Sequence, residues 1–446
     1  MGRFSWLLVL ALAVCAPLIS TAETGLPRLR VGPEGRFLIE ETGKPFVWIG
    51  ETNWFFAKVD PEKRDRLLDR RSGQGFTVLF IAAREALYDG RGGPYLEGDV
   101  TRFNEPWWEY LEEYVDEAGR RGMYVGVALG WWGHVARNGP EKLYRNGLRA
   151  ARRLNGKTNV VWLVAGEAGG HERKTVLPRE NVEAIVRGIR DGDEDDKLLT
   201  VHADFRRGTS LNRDAELVDF NNWQTSQWCC RDDLPRKDPR RWTVWEAIGY
   251  DYEQDYPTPS GRKPTLDAEA FYERNKDFCG GTPLMVRRRA YFTILAGAFG
   301  HSYGAGGAWD GLTEPEGCSG DVVQALEYEG ADDVGHVATL LRSLGDGLLE
   351  MRPRQEMVLS GQSRSYDSHI QAAAARDGRF ALVYDADGGT VRLDLTTLVD
   401  GALQARWFDP REGEFGDPFA VERGDDVRLT APTSGQDWVL VVEALR

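Results

Sequence analysis

The sequence predicts a (β/α)8 barrel followed by an antiparallel β-sandwich. Three observations carry that expectation. Between Phe46 and Gly304, eight short apolar runs alternate with segments of mostly helical pattern. That count suits a closed barrel better than a doubly wound open sheet, which more often stops at five or six strands. Polar and aromatic residues gather just past the ends of those runs, and a barrel collects such residues at one face. From about Met351 helical periodicity gives way to short strands separated by Asp-Gly, Gly-Gly and Pro, the pattern of a sandwich.

Taken in order, the first 22 residues read as a secretory signal. Arg3 gives a charged start, Trp6 to Val14 an apolar centre, and Ser20-Thr21-Ala22 a small-residue cleavage site. The apolar centre is too short to span a bilayer and is broken by Pro17. The expected protein is therefore secreted or periplasmic, with no membrane association once the signal is removed. The expected division is 1–22 signal, 23–348 barrel with an N-terminal hairpin over Leu29 to Phe46, and 349–446 sandwich.

The first barrel strand is Phe46 to Gly50, ending in Glu51-Thr52-Asn53-Trp54, with a charged helix from Pro61 to about Arg71. The second is Thr77 to Ala82, ending near Arg84. Asn104 is placed to cap a helix whose Trp107, Trp108, Leu111, Tyr114, Val115 and Ala118 share one face, with Gly122 at its stop. The third strand, Met123 to Leu129, opens into Gly130-Trp131-Trp132-Gly133-His134, and a helix over Glu141 to Leu154 leads to the fourth. After a helix over Asn181 to Arg190, Leu198 to Ala203 is a fifth strand carrying His202. Leu217 to Asn222 is a sixth, running into Gln224. A polar stretch from Asp232 to Arg262 precedes the seventh, which ends near Glu269. Val286 to Phe299 is a long apolar helix, Gly300 to Gly304 the eighth strand, and Asp332 to Leu344 the closing helix. In the sandwich, strands are expected at 357–359, 370–375, 380–384, 390–395, 403–408 and 438–442.

Composition narrows the function. The chain has 446 residues, 41% of them apolar, a net charge of −14 and a pI of about 5.1. No basic stripe is available to neutralise phosphates, so a nucleic-acid partner is not expected. The 15 Trp, 15 Tyr and 18 Phe either fill cores or stack on sugar rings. Past the signal, Cys229, Cys230, Cys279 and Cys318 allow three disulfide pairings that sequence cannot separate. No Cys-x-x-Cys or His-Glu-x-x-His occurs, so no metal or other cofactor is expected.

The fourth strand carries the most information. Val160-Val161-Trp162-Leu163-Val164-Ala165-Gly166-Glu167 is apolar throughout and ends on one carboxylate. Asp267-Ala268-Glu269 ends the seventh. Two carboxylates on separate strand ends of one barrel are what glycosidic cleavage needs, one to donate a proton and one to act as nucleophile or base. Read singly, each is an ordinary exposed Glu.

Several stretches together resemble the apiosidase-like glycoside hydrolases, barrels followed by a small "putative collagen-binding" sandwich. They are Gly50-Glu51-Thr52-Asn53-Trp54, Asn159 to Leu163 running into Gly166-Glu167, Asp219-Phe220-Asn221, Lys263 to Glu269 with Tyr272-Glu273, Arg287 to Trp309, and Arg406-Trp407-Phe408-Asp409-Pro410-Arg411 with Gly413. The resemblance implies a glycosidase acting on plant cell-wall or related polysaccharide, with catalytic carboxylates matching Glu167 and Glu269. Three positions depart from the family pattern. Gly-Gly-Asp reads here as Ala165-Gly166-Glu167, the first-motif Asp as Glu51, and Gln-Ser-Gly-His as Gln224-Thr225-Ser226-Gln227.

Glu167 is accordingly assigned as general acid/base and Glu269 as nucleophile of a retaining mechanism, the latter held ionised by neighbours such as Arg287 or Tyr303. Glu51, Arg84, His134, His202, Asn222 and Gln224 are candidate sugar-binding groups or structural polar residues. Trp54, Trp131 and Trp132 are candidate stacking platforms or core. Asp267 is two residues before Glu269 and on a continuous strand would share its face. The competing reading is a non-catalytic carbohydrate- or matrix-binding protein on a barrel scaffold.

Overall fold

The computed structural model describes residues 25–167, 177–204, 208–212, 214–226, 242–277 and 279–445. The signal at 1–22, Gln227, Cys229 and Cys230 lie outside them.

An antiparallel hairpin, β1 (Leu29–Val31) and β2 (Leu38–Glu40), leads into the barrel. Its strands are β3 (Trp48–Thr52), β4 (Val78–Ala82), β5 (Tyr124–Ala128), β6 (Val160–Leu163), β7 (Leu199–Thr200), β8 (Asn221–Trp223), β9 (Thr265–Asp267) and, after the two-residue β10 (Tyr272–Glu273), β11 (Gly300–Ala305). They are parallel and follow the order β7-β6-β5-β4-β3-β11-β9-β8, with β10 added on β11. Chain order thus runs around a ring, as a (β/α)8 barrel requires. The ladder is interrupted at one seam, between β7 and β8. There Thr200 Oγ1 donates to the Phe220 carbonyl at 2.9 Å, and Asp219 N to the Leu199 carbonyl at 2.9 Å.

Helices α1 (Pro61–Gly73), α2 (Glu105–Arg120), α3 (Trp132–Arg137), α4 (Pro140–Arg153), α5 (Arg179–Gly192), α6 (Val244–Glu253), α7 (Pro283–Leu295) and α8 (Glu329–Ser343) connect the strands. Asn104 precedes α2 as expected, but its side chain does not cap it. Its amide donates instead to the Arg91 and Gly93 carbonyls, both at 2.8 Å, and so ties down the loop before the helix. Helix α6 falls inside the stretch read as merely polar. Its signal was present in Thr243-x-x-Glu246, which forms a capping box: each side chain bonds the other residue's backbone N–H.

Strand alternation decides which side chains face the barrel interior. Trp48, Phe80 and Phe220 meet inside, with ring centroids 5.7 and 6.0 Å from Trp48. The residues between them point at the helices. This places Glu51 outside, where both its oxygens accept from Arg71 of α1, at 2.8 and 2.9 Å, with neither side chain exposed. Glu51, a candidate sugar ligand by its motif, is instead the buried partner of a helix arginine.

The sandwich comprises β12 (Met351–Pro353), β13 (Ile370–Ala375), β14 (Phe380–Asp385), β15 (Thr390–Leu393), β16 (Leu403–Asp409), β17 (Glu414–Phe415), β18 (Phe419–Val421), β19 (Val427–Thr430) and β20 (Trp438–Ala444). The larger sheet runs β12-β13-β14-β20-β16-β17 with β18 on β16, and β15 pairs with β19 in the second. Strands β12, β17, β18 and β19 were not anticipated. They are short, and β17, β18 and β19 are only partly buried. The expected strand at 357–359 is reduced to a single bridge from Val358 to Leu393, with Met357 ending a helical turn that begins at Gln355.

The sandwich docks on α6 and α7. Tyr291 stacks on Tyr384 with centroids 4.8 Å apart, and Trp245 on His369 at 3.9 Å. Between the stacks, Arg287 grips Asp437 with two bonds of 2.8 Å and also pairs with Asp333. Arg287 was expected beside Glu269. It lies on a helix, where its carboxylate partners are Asp437, just before β20, and Asp333 of α8, and not Glu269.

Of the open disulfide pairings, the described residues contain Cys279–Cys318, with Cα atoms 5.5 Å apart. It ties the segment after β10 to the segment after β11, closing a span of 39 residues. The double substitution Cys279→Ser with Cys318→Ser should destabilise the barrel by about 2–4 kcal/mol, chiefly by freeing the unfolded chain. Calorimetry should show a lower melting temperature, and an unchanged one would remove this role.

Candidate active site

Both acids sit where strands end. Past β6 the chain leaves extended geometry: Ala165 has φ +133° and Glu167 φ +54°. A side chain at positive φ is strained, and such strain persists only where surrounding structure over-determines it. Here the indole of Trp131 does so. It lies on Gly166, where a Cβ would come within 2.0 Å of the ring, and its Nε1 donates to Glu167 Oε2 at 3.0 Å. At two of the departures a glycine of the family pattern is replaced, by Ala165 and by Ser226. Both have positive φ, +133° and +64°, a conformation that favours glycine.

Strand β9 stops at Asp267, and the Glu269 carbonyl accepts from Ser226 N at 3.0 Å. The break cancels the alternation that would have put Asp267 and Glu269 on one face. Asp267 accepts from Thr225 Oγ1 at 2.9 Å and lies 3.1 Å from His301 Nδ1, which in turn contacts Thr293 of α7. Asp267 therefore faces the helices and braces the strand end, away from the mouth.

Glu269 turns inward. Its Oε2 lies 3.0 Å from Nε2 of His202, whose side chain is fully buried while that of Glu269 is 12% exposed. Tyr272 also hydrogen-bonds Glu269, and its hydroxyl accepts from Trp54 Nε1 at 3.1 Å. Burial and the negative charge of Glu269 hold the Tyr272 phenol well above its ordinary range, so it stays protonated and donates. Gly304 makes room for this ring, since a Cβ there would approach it to 2.1 Å. Thus His202 and Tyr272 hold Glu269, in the places that Arg287 and Tyr303 were expected to fill.

Tyr303 alternates outward and donates to Glu273 Oε2 at 2.7 Å. Burial pushes the Glu273 carboxyl up to about 7. The folded state then holds this proton more tightly than the unfolded chain does, so its stabilising effect is full below about pH 4.5 and is lost as pH rises towards 7. Glu273→Gln, which keeps an acceptor for Tyr303, should flatten that decline, which runs at up to about 1.4 kcal/mol per pH unit. Urea midpoints of both proteins at pH 5 and pH 8 check this; equal slopes would remove Glu273 from the account.

The rings join the two acids. Trp54 and Trp131 are 5.1 Å apart, and the His202 ring is 4.8 and 5.7 Å from them. Glu167, Trp131, His202 and Glu269 therefore form one contiguous mouth. Arg84 lies over it, its guanidinium 4.4 Å from the Phe55 ring and 4.8 Å from Trp131, and pairs with Glu85 at 3.0 Å. His134, on α3, packs 6.0 Å from Tyr95; burial, with Arg84 and Arg137 nearby, lowers its pKa. Asn222 on β8 and Gln224 just past its end are buried, on the same side of the chain by alternation as Phe220 just before it. Trp309, not singled out from sequence, stands 5.7 Å from Tyr272 and 5.5 Å from Phe55. Trp54 is 2% exposed and Trp131 9%, so both are walls of the mouth rather than open platforms.

Residues 32–345 match the family "Apiosidase-like, catalytic domain", and residues 353–443 match "Putative collagen-binding domain of a collagenase". No curated protein matches the chain. Among solved structures, one described as a glycoside hydrolase is 21% identical with a TM-score of 0.82, covering 94% of this chain and 97% of its own. A family 5 glycoside hydrolase from Bacteroides vulgatus ATCC 8482 is 22% identical with a TM-score of 0.81, covering 94% and 93%. A family 39 glycoside hydrolase from Bacteroides cellulosilyticus WH2 shares the fold more loosely, at 13% identity and a TM-score of 0.55, covering 89% and 81%. At such identities the likeness is one of fold; the matched family model spans most of the barrel, and the chain belongs to the apiosidase-like glycoside hydrolases.

Proposed function

We propose that the protein is an exported, retaining glycosidase acting on plant cell-wall or related polysaccharide, with Glu269 as nucleophile and Glu167 as general acid/base. The observation that carries the assignment is the pair of inward carboxylates at the ends of barrel strands four and seven, each held by a neighbouring side chain. Glu269 is hydrogen-bonded by His202 and Tyr272, which fixes the orientation of its carboxylate. Glu167 takes one indole N–H and is partly exposed, which suits a group that must exchange protons with a leaving group and then with water. Every residue named at the mouth precedes Met351, so the sandwich is read as a support for α6 and α7. The disulfide favours an oxidising compartment, and the mature chain is taken to begin after Ala22.

The test is turnover of a panel of plant and microbial glycans by the purified protein, with Glu269→Gln as the control. Release of reducing sugar by the wild type alone supports the reading, and release by neither protein from any glycan counts against it. N-terminal sequencing of the exported protein checks the leader, and an intact Met1 would refute its removal.

A further inference from the structure

Three consecutive arginines of α7 reach in three directions, since successive residues of a helix point about 100° apart. Arg287 pairs with Asp437 and Asp333. Arg288 pairs with Asp367 and donates to the Ala386 carbonyl at 2.9 Å, both in the sandwich. Arg289 turns to the barrel. It is 4% exposed, and its Nη1 donates to the Ser226 carbonyl at 2.8 Å.

Ser226 is a strained point in the backbone past β8. Its φ of +64° is one that a residue with a side chain keeps only when its surroundings hold it there. Its N–H donates to the Glu269 carbonyl at 3.0 Å, and its carbonyl takes the bond from Arg289. The Ser226 main chain is therefore a link between Glu269 and α7. The Arg289 guanidinium also lies over the ring of Phe271, two residues past Glu269, 4.7 Å from its centroid. Arg289 thus reaches the segment around Glu269 by two routes.

A second ring on Arg289 comes from the sandwich. Tyr366, in the loop before β13, lies 5.1 Å from the same guanidinium. Its hydroxyl accepts from Val244 N at the start of α6 at 3.0 Å, and its ring packs 5.0 Å from Trp245 and 5.9 Å from Phe292. The loop is pinned on either side of it, Arg364 pairing with Glu246 at 2.8 Å and Asp367 with Arg288. Such half-exposed pairs contribute little singly. A ring over a buried guanidinium contributes more, because water does not compete for the cation.

We propose that Tyr366 is a positioning residue for Glu269, a sandwich side chain that fixes Arg289 and, through it, the Ser226 backbone that holds the Glu269 carbonyl. The inference rests on the glycosidase reading for what Glu269 does, and adds to it a part for the second domain in placing the nucleophile. Tyr366 acts through Arg289 and not on the reacting atoms.

The experiment is hydrogen exchange at the Ser226 amide, read by mass spectrometry with residue-resolving fragmentation on the full mature chain. Tyr366→Leu removes the aromatic face but keeps an apolar side chain against Trp245 and Phe292. Arg289→Lys keeps the charge but loses the planar group that stacks. Asp367→Ala cuts a contact of the same loop with α7 and leaves both Tyr366 and Arg289 in place. Folding is checked by circular dichroism, and Arg289→Lys carries the exchange test alone if Tyr366→Leu does not fold. The Ser226 amide should exchange about tenfold faster in Tyr366→Leu and in Arg289→Lys, the scale of one desolvated cation–π contact. It should exchange at the wild-type rate in Asp367→Ala, and Tyr366→Phe, which keeps the ring, should restore its protection. On a glycan that the wild type hydrolyses, Tyr366→Leu should lower kcat about tenfold with KM unchanged, because substrate still binds while the attacking oxygen is misplaced. Unchanged Ser226 exchange in Tyr366→Leu and Arg289→Lys, equal acceleration in Asp367→Ala, or faster exchange with wild-type kcat would overturn the proposal. The failure of the glycosidase reading looks different: a wild type that hydrolyses no glycan removes the role of Glu269, and the exchange rates then decide alone whether Tyr366 holds it.

Discussion

Glu269→Gln is expected to abolish turnover of every substrate, by on the order of a hundredfold or more, while leaving the fold intact. The amide is isosteric and still offers an oxygen to His202 Nε2 and the Tyr272 hydroxyl, the groups that hold the carboxylate now. What it lacks is the anionic oxygen that attacks the anomeric carbon, so no glycosyl-enzyme forms. Loss should therefore be independent of the leaving group, since activated aryl glycosides still need the nucleophile. A scaffold that only binds sugar predicts no wild-type turnover to lose. A structural carboxylate predicts a small loss that follows a lowered melting temperature. Steady-state rates on an aryl glycoside series, with thermal melts of both proteins, separate these outcomes. A folded Glu269→Gln protein of near wild-type activity would sink the assignment. Proton NMR of the first-formed product tests the retaining stereochemistry directly, and inversion would recast Glu269 as a general base.

How much of this was legible beforehand follows from where each signal sits. The barrel was readable because parallel strands buried on both faces leave continuous apolar runs, such as Val78 to Ala82, in which every residue is buried. The inward or outward sense of a strand-end polar residue was much less so. Glu51 and Tyr303 lie within strands whose phase only the packed structure fixes, and both fall on the helix side. Asp267 failed for a different reason, since β9 ends on it and alternation does not continue to Glu269. Arg287 was assigned by its charge, but charge does not say which of several distant carboxylates will be adjacent, and those that are come from the sandwich and from α8. Tyr272 was given no role from sequence; it lies three positions past Glu269. The short β10 returns it alongside β11, so that its hydroxyl meets both Trp54 and Glu269. The close approach at Gly304 was the available clue, a glycine in a buried strand with no turn to explain it.

Glu167→Gln should behave differently, and the difference is the sharper test of the pair. Loss of the proton donor matters in proportion to how much the departing oxygen needs protonation. Natural glycosides and alkyl leaving groups should slow by on the order of a hundredfold or more, whereas a dinitrophenyl glycoside, whose phenolate leaves unaided, should form the glycosyl-enzyme at nearly the wild-type rate. Hydrolysis of that intermediate still needs Glu167 as base to activate water, so the intermediate should accumulate. A burst of phenolate followed by slow turnover is the expected trace. An added small anion such as azide, which needs no base, should restore turnover and yield the glycosyl azide. The geometry bears on how clean this will be. Trp131 Nε1 donates to Glu167 Oε2, and a glutamine can accept that bond through its oxygen, so the turn at Ala165 to Glu167 keeps its anchor. If Glu167 served only to hold Trp131 in place, Glu167→Gln would change all leaving groups alike and azide would do nothing. Pre-steady-state kinetics on the dinitrophenyl and an alkyl glycoside, with and without azide, therefore decides between a proton-transfer role and a positioning one.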